Sequence, residues 1–392
     1  MNQTWNQHVV KKENKTLVLE KVKEKAPISR ADVAQKTGLN KGTVSSLVSE
    51  LITEQLIDES GPGESSGGRR PVMLLFNQLA GFSIGIDLGV NYLLGILTDL
   101  NGNIINEKKV NYEEFSYQEI VDQLFKIIDV LTSSAPPSPY GVVGIGIGVP
   151  GIVSKEGEIL FAPNLNWKRI HLKQVIEKQY EIPVIIENEA NAGAYGEKKF
   201  GIGQKFEDII YVSVGVGIGV GLILNGKLYK GNNGFSGESG HMTIEINGLE
   251  CRCGNNGCWE LYASEQALLR RAEKLKIQPP TGEELTLQTL NLLAEQNDEK
   301  VLRLFEENGD YLGVGITNIV NTFNPNQIII GNRMSSSEKW IKSSLKNRID
   351  KHTLKQHQND LKIDYSQLTT HSTALGVAAF TIENFLEVDI KL

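Results

Sequence analysis

Two stretches of this chain repeat one plan, and that repeat limits what the chain can fold into. Residues 82–105, FSIGIDLGVNYLLGILTDLNGNII, alternate like two β-strands joined by a turn. Residues 208–226, DIIYVSVGVGIGVGLILNG, form a second glycine-rich hairpin of the same kind. VVGIGIGVPG reads as a buried strand that enters a loop, PVIIENEAN as a strand that ends in a polar cluster, and NQIIIGN as one more buried strand. Residues 116–132 read as an amphipathic helix broken by SSAPPSP, 283–323 are mostly helical in pattern, and STALGVAAFTIENFL closes the chain with a helix. The expectation is an α/β body of two related halves over residues 79–392, each opening with a hairpin and continuing with helices. The uncharged run Ile209–Gly226 contains five glycines and reads as strand, turn, strand rather than as a membrane span.

The first 78 residues have a different character and are expected to form a separate domain. A charged helical pattern over residues 14–25 stops at Ala26-Pro27. Ser29 is placed to cap a helix over RADVAQKT that Gly38 ends, and Asn40 to cap a third over KGTVSSLVSELITEQ. Ile28, Val33, Ala34, Leu39, Val44, Leu47, Val48 and Leu51 supply the apolar contacts. Two helices joined by a short glycine-containing turn give the helix-turn-helix pattern. Leu56-Ile57, a Gly/Ser-rich loop and RRPVMLLF then have the strand–loop–strand order of a wing. In a winged helix-turn-helix the third helix enters the major groove, with Lys41, Thr43, Ser45 and Ser46 as its exposed candidates. Arg69 and Arg70 at the wing tip suit phosphate or the narrow minor groove. The alternative is a three-helix accessory domain for protein contacts.

Charge supports the DNA reading. The chain carries a net −7, but residues 1–80 sum to +2 and the remainder to −9. A slightly basic head on an acidic body fits a domain that meets phosphate. The opening MNQTWNQHVVKKENK has no apolar core of an export signal, so the expected compartment is the cytoplasm, with no membrane partner.

The chain has three cysteines, Cys251, Cys253 and Cys258. An odd, tightly spaced set argues against disulfides and for a metal. With His241 they offer one imidazole and three thiolates, a donor set that suits tetrahedral zinc. Four protein ligands leave no open position, so the expected Zn2+ site is structural. The alternative is three buried free thiols and an unrelated histidine.

GFSGESGHM, the cysteine cluster ending in GCWE, ENEAN and GVPG together resemble the repressor–open reading frame–kinase family, known as ROK. The resemblance covers essentially the whole chain, and the head followed by SSGGRRP is similar to the family's repressor branch. It implies a winged helix-turn-helix followed by a two-lobed, actin-like (ribonuclease H-like) sugar-kinase fold, with sugar in the cleft between the lobes and a structural zinc site. GLNKGTVSS and IENEANAGAYGEK are most similar to the members that regulate xylose use. This implies operator DNA and D-xylose as partners, and a homodimer. GVPG at 148–151 resembles the loop against the sugar, and Asn164, Asn188, Glu189, Glu238, His241 and Glu260 occupy the sugar-binding positions. Carboxylates and amides together satisfy a ring of hydroxyls, each donor and acceptor.

The family also contains kinases, so phosphoryl transfer is the competing expectation. Here the chain departs from the kinase pattern. Glu189 stands where the kinases have aspartate, Val90-Asn91 where they resemble Gly-Thr, Val216 where they carry a threonine hydroxyl, and Asn332 in place of a second glycine. Three of these departures fall on the ATP side beside a largely intact sugar side. The expectation is a repressor that binds sugar without ATP and is released from its operator by it, with no catalytic residues. A DNA-binding regulator with a protein effector is the third reading.

Overall fold

A computed structural model of the chain describes residues 7–62, 71–113, 115–280 and 282–386. Helix α1 (Gln7–Lys25) runs up to Ala26-Pro27. Ser29 accepts from the Asp32 N–H to start α2 (Arg30–Thr37), which Gly38 ends at φ 73°. Asn40 accepts from the Thr43 N–H at 2.8 Å to start α3 (Lys41–Thr53). That helix stops two residues short of the expected Gln55, which turns left-handed at φ 57°. Strands β1 (Ile28–Ser29), β2 (Ile57–Pro62) and β3 (Val72–Phe76) pair antiparallel in the order β1-β3-β2. The expected apolar residues of this head pack in one cluster, with Leu39 at its partly buried edge. The loop between β2 and β3, with Arg69 and Arg70, lies outside the described residues.

The first lobe opens with β4 (Phe82–Leu88), β5 (Tyr92–Asp99) and β6 (Ile104–Asn111), an antiparallel meander where the sequence predicts a hairpin. The third strand is mostly exposed at the sheet edge, so it lacks the apolar alternation that marks the other two. Next come α4 (Tyr117–Ser133), held by a Ser116–Glu119 capping box, and β7 (Val142–Val149). A small sheet of β8 (Ile152–Val153), β9 (Ile159–Ala162) and β10 (Trp167–Ile170) follows, then α5 (Leu172–Tyr180), β11 (Val184–Asn188) and α6 (Glu189–Lys199). The main sheet has the order β11-β7-β4-β5-β6, with β11, β7 and β4 parallel.

The second lobe repeats the plan. Its hairpin is β12 (Ile209–Val214) and β13 (Ile218–Leu224), followed by β14 (Lys227–Leu228), and then α7 (Glu260–Ala263), α8 (Glu265–Lys274), α9 (Leu287–Glu295) and α10 (Glu299–Phe323). Strand β15 (Gln327–Gly331), α11 (Glu338–His352), α12 (Lys355–Gln358), β16 (Lys362–Tyr365) and α13 (Ser372–Phe385) complete it. The sheet order is β14-β13-β12-β15-β16, with β12, β15 and β16 parallel. In both lobes the first strand of the hairpin pairs antiparallel with the second and parallel with a later strand.

Helices α6 and α13 form the layer between the two sheets. Helix α13 lies on β4 and β7, α6 lies on β12 and β13, and the two helices pack on each other. Glycine makes this approach possible. A Cβ at Gly376 would stand 1.7 Å from the Ala192 carbonyl oxygen, and one at Gly146 2.4 Å from that of Val377. The end of α13 leaves this layer. Ile382 and Leu386 are buried in the head's cluster beside Val18, Leu51 and Leu56. The Lys23 ammonium donates to the Leu100 carbonyl at 2.7 Å, and the Tyr140 hydroxyl to that of Glu54 at 2.9 Å. One helix therefore touches both the interlobe layer and the head. Among the described residues no helix is long and apolar enough to cross a membrane.

Candidate functional site

The carboxyl ends of β4, β7, β11, β12 and β15 open into one cleft, the usual ligand position in α/β sheets. There, a cavity of about 260 Å³ is lined by Gly89-Val90 after β4, Pro150-Gly151 after β7, Asn188-Glu189 at β11, Gly215–Gly217 after β12 and Asn332-Arg333 after β15. This is small beside the roughly 300–1,000 Å³ of drug-sized sites. Asn164, Asn188, Glu189, Glu238, His241 and Glu260 all line it.

Asn188 and Glu189 divide the work at the start of α6. The Asn188 side-chain oxygen caps the helix, accepting from the N–H groups of Ala190 at 2.9 Å and Asn191 at 3.1 Å. Its amide nitrogen donates to the Gly151 carbonyl at 2.9 Å and so ties down the GVPG loop. One N–H of this amide remains for a ligand. The Glu189 carboxyl, in contrast, has no hydrogen-bond partner among the described residues. Burial, reinforced by Asp87 and opposed by Arg333, pushes it up to about 8. Asp87 is pushed up to about 6, mainly by burial. Its Oδ2 accepts from the Tyr92 hydroxyl at 2.5 Å, and its Oδ1 is buried without a partner among the described residues. Near neutral pH Glu189 therefore carries a proton, and a hydroxyl-rich ligand meets a group able to donate as well as accept.

His241, Cys251, Cys253 and Cys258 come together, with one donor atom from each within 4.8 Å of every other. Cys253 and Cys258 Sγ are 3.7 Å apart, and Cys251 Sγ stands 3.7 Å from His241 Nδ1. Tetrahedral zinc with sulfur at about 2.3 Å spaces its sulfurs by roughly 3.8 Å, so these two pairs already stand at the spacing a shared metal needs. Nδ1 faces the sulfurs, while Nε2 lies 3.9 Å from Glu238 Oε2 on the cavity side. Glu260 Oε1 is 3.4 Å from both His241 Nδ1 and Cys251 Sγ. A metal here would hold the cavity wall in place.

The ROK family pattern matches residues 83–384. The chain belongs to the ROK family. It is 46% identical to the Xylose repressor of Bacillus subtilis, over 98% of both chains. The solved structure of a ROK family transcriptional regulator, a homolog of the E. coli MLC protein, superposes with a TM-score of 0.83 at 30% identity, covering 96% of this chain and 97% of that one. A ROK family glucokinase from Streptomyces griseus, solved with glucose and AMPPNP, superposes with a TM-score of 0.70 at 29% identity, over 76% of this chain and 99% of that one. The glucokinase thus matches the length of a ROK body alone, while the regulator also matches the head. The body is the ROK fold, with two actin-like sugar-kinase lobes.

Val90, Val216 and Asn332, where this ROK chain departs from the kinase pattern, line the same cavity. Asn332 holds φ 62° and ψ −154°, a region kept almost entirely for glycine. Its side chain accepts from the Arg333 N–H at 2.8 Å and donates to Ser213 Oγ at 3.0 Å, which fixes this conformation. The Arg333 guanidinium lies over the Tyr92 ring, 5.0 Å from its centroid, and pairs with Glu265 at 3.2 Å.

Sequence reading missed two arginines. Arg333 follows a strand and carries no pattern of its own. Arg252 looks like a spacer between Cys251 and Cys253, yet it lines the cavity and donates to Asn164 Oδ1 at 3.4 Å from the other lobe. Thr43 is half-buried, while Lys41, Ser45 and Ser46 are exposed on α3, and none of the four lines the cavity.

Proposed function

We propose that this chain is a transcriptional repressor that reads a sugar, with D-xylose as its effector, and leaves its operator when the sugar binds. One observation carries this reading. The polar residues expected on the sugar side converge on a single cavity, while on the side expected to face ATP the Arg333 guanidinium reaches Asn91 across the cleft and Asn332 stands in place of a glycine. The near full-length identity to a protein named for xylose repression supports it. The regulator is not an enzyme, and no residue has a catalytic role.

In this account Asn164, Asn188, Glu189, Glu238, His241 and Glu260 bind the sugar hydroxyls. The Zn2+ held by His241, Cys251, Cys253 and Cys258 is structural and fixes the imidazole that faces the sugar. Residues 1–78 are a winged helix-turn-helix, with Lys41, Thr43, Ser45 and Ser46 on the recognition helix and Arg69 and Arg70 at the wing. Residues 79–392 are the sensor. The protein works in the cytoplasm as a homodimer whose two heads meet two half-sites.

The route of the signal follows from the helices between the lobes. Helix α6 begins at Asn188-Glu189. At its other end Lys199 pairs with Glu383 of α13 at 2.5 Å, and the Tyr195 hydroxyl donates to the same carboxylate. Helix α13 then runs into the head. Sugar closes the lobes, α6 and α13 shift as one body, and the heads lose the spacing that fits the operator. A coupling of about 1–3 kcal/mol would change operator affinity roughly 5–150-fold.

Titration calorimetry with D-xylose in the absence of nucleotide tests the site. Wild type should bind, and Glu189→Ala should weaken binding by roughly tenfold or more, as loss of buried hydrogen bonds predicts. Binding that requires nucleotide, or turnover of MgATP with sugar, would return the chain to the kinases.

A further inference from the structure

Asn188 and Glu189 account for only part of the ENEAN cluster. Glu187, the last charged residue of β11, points away from the cavity and is almost wholly buried. Its Oε1 accepts from the Asn188 backbone N–H at 2.9 Å and from the Asn191 side-chain amide at 3.1 Å. Its Oε2 meets Lys230 Nζ at 2.6 Å.

Lys230 belongs to the other lobe, two residues beyond β14. From there the chain turns back. The Lys230 carbonyl accepts from the Ser236 N–H at 3.2 Å, and that of Tyr229 from the Ser236 hydroxyl at 2.6 Å. This loop ends at Glu238 and His241, on the opposite wall of the cavity. A single ion pair thus joins the segment that carries Asn188 and Glu189 to the segment that carries Glu238 and His241.

Exposure decides how much such a pair matters. A solvated pair contributes little. Here the side chains are only 19% and 7% exposed, so losing the lysine strands a buried carboxylate. That carboxylate is also the acceptor that orients Asn188 and Asn191.

We propose that Glu187 and Lys230 form the interlobe tie that positions the sugar site. Glu187 sets the Asn188 end and Lys230 sets the Glu238 loop, so the two walls meet the sugar in register. Both are positioning residues, since neither lines the cavity. The proposal rests on the sugar-sensor reading above.

The test uses the full-length protein, with D-xylose and D-glucose titrated by calorimetry and operator binding measured without sugar. Lys230→Met should raise the sugar Kd tenfold or more and leave sugar-free operator affinity within about twofold of wild type. The double variant Glu187→Gln with Lys230→Met should recover sugar affinity to within about threefold. It removes the stranded charge and keeps an oxygen to accept from Asn188 and Asn191. Recovery in the double variant is a response that general loss of stability would not produce. Wild-type sugar affinity in Lys230→Met would overturn the proposal, as would a parallel loss of sugar and operator binding without recovery in the double variant. A wild-type chain that binds neither sugar removes the sensor reading and this inference with it.

Discussion

Arg333 spans the cleft. Its guanidinium donates to the Asn91 side-chain oxygen at 2.5 Å in the first lobe while it pairs with Glu265 of the second. In the proposed reading this is the side on which a kinase would hold phosphates. Here the guanidinium closes across it from one lobe onto the other: the replaced loop residue Asn91 accepts from it, while the side chain of Asn332 accepts from the Arg333 backbone N–H.

That closure predicts a site without nucleotide. Calorimetry with millimolar MgATP should give no binding signal, and a coupled assay should detect no sugar phosphorylation. Arg333→Ala should weaken sugar binding about fivefold through loss of the interlobe contact, on the order of 1 kcal/mol for a partly exposed charge-assisted bond. An unchanged sugar Kd in that variant would show that Arg333 fills space without closing the lobes.

The cluster of His241 with the three cysteines underlies the cavity wall. Cys253→Ser should lower metal content below one zinc per chain, lower the melting temperature and abolish sugar binding, because His241 loses its anchor. Metal analysis by mass spectrometry beside calorimetry checks this. Full sugar affinity in a zinc-free protein would contradict it.

Glu189 gives the empty protein a pH dependence. Its folded-state value of about 8 lies above the usual carboxylate value of 4.5, so the folded state binds more protons between them. Stability from this group is complete below about 4.5 and is lost as pH rises through about 8. Asp87 acts in the same direction only up to about 6, and Lys23, lowered to about 8 by burial, acts only above that. Between pH 6 and 8, wild-type stability should fall relative to Glu189→Gln, as measured by urea denaturation. Parallel pH profiles for the two proteins would contradict this.

The head makes a separate prediction. Lys41 is exposed at the first turn of α3, so Lys41→Ala should leave folding intact. If it meets phosphate, operator affinity should fall uniformly across sequences and the salt slope by about 1. Anisotropy titrations at several salt concentrations measure both.

Much of this was legible because local chemistry repeats in the sequence. The caps at Ser29 and Asn40, the paired glycine-rich hairpins and the cysteine spacing each announce one structure. In the buried strand β7, Gly146 is small because α13 packs directly on it, a contact that the strand's own pattern does not announce. Strand β6 was illegible because an exposed edge carries no apolar period. Arg333, Arg252 and Lys230 were illegible for a different reason. Each acts on a residue far away in the chain, at Asn91, Asn164 and Glu187, and no local pattern encodes such a partner.

The central claim is that sugar alone moves the DNA heads. Fluorescence anisotropy with operator DNA from upstream of xylose-utilisation genes, titrated with D-xylose in the absence of nucleotide, measures it most directly. The account predicts tight binding that xylose weakens roughly 5–150-fold, with no release by a pentose that does not fit the site. Specific binding that no sugar weakens would contradict it and would point to a protein effector.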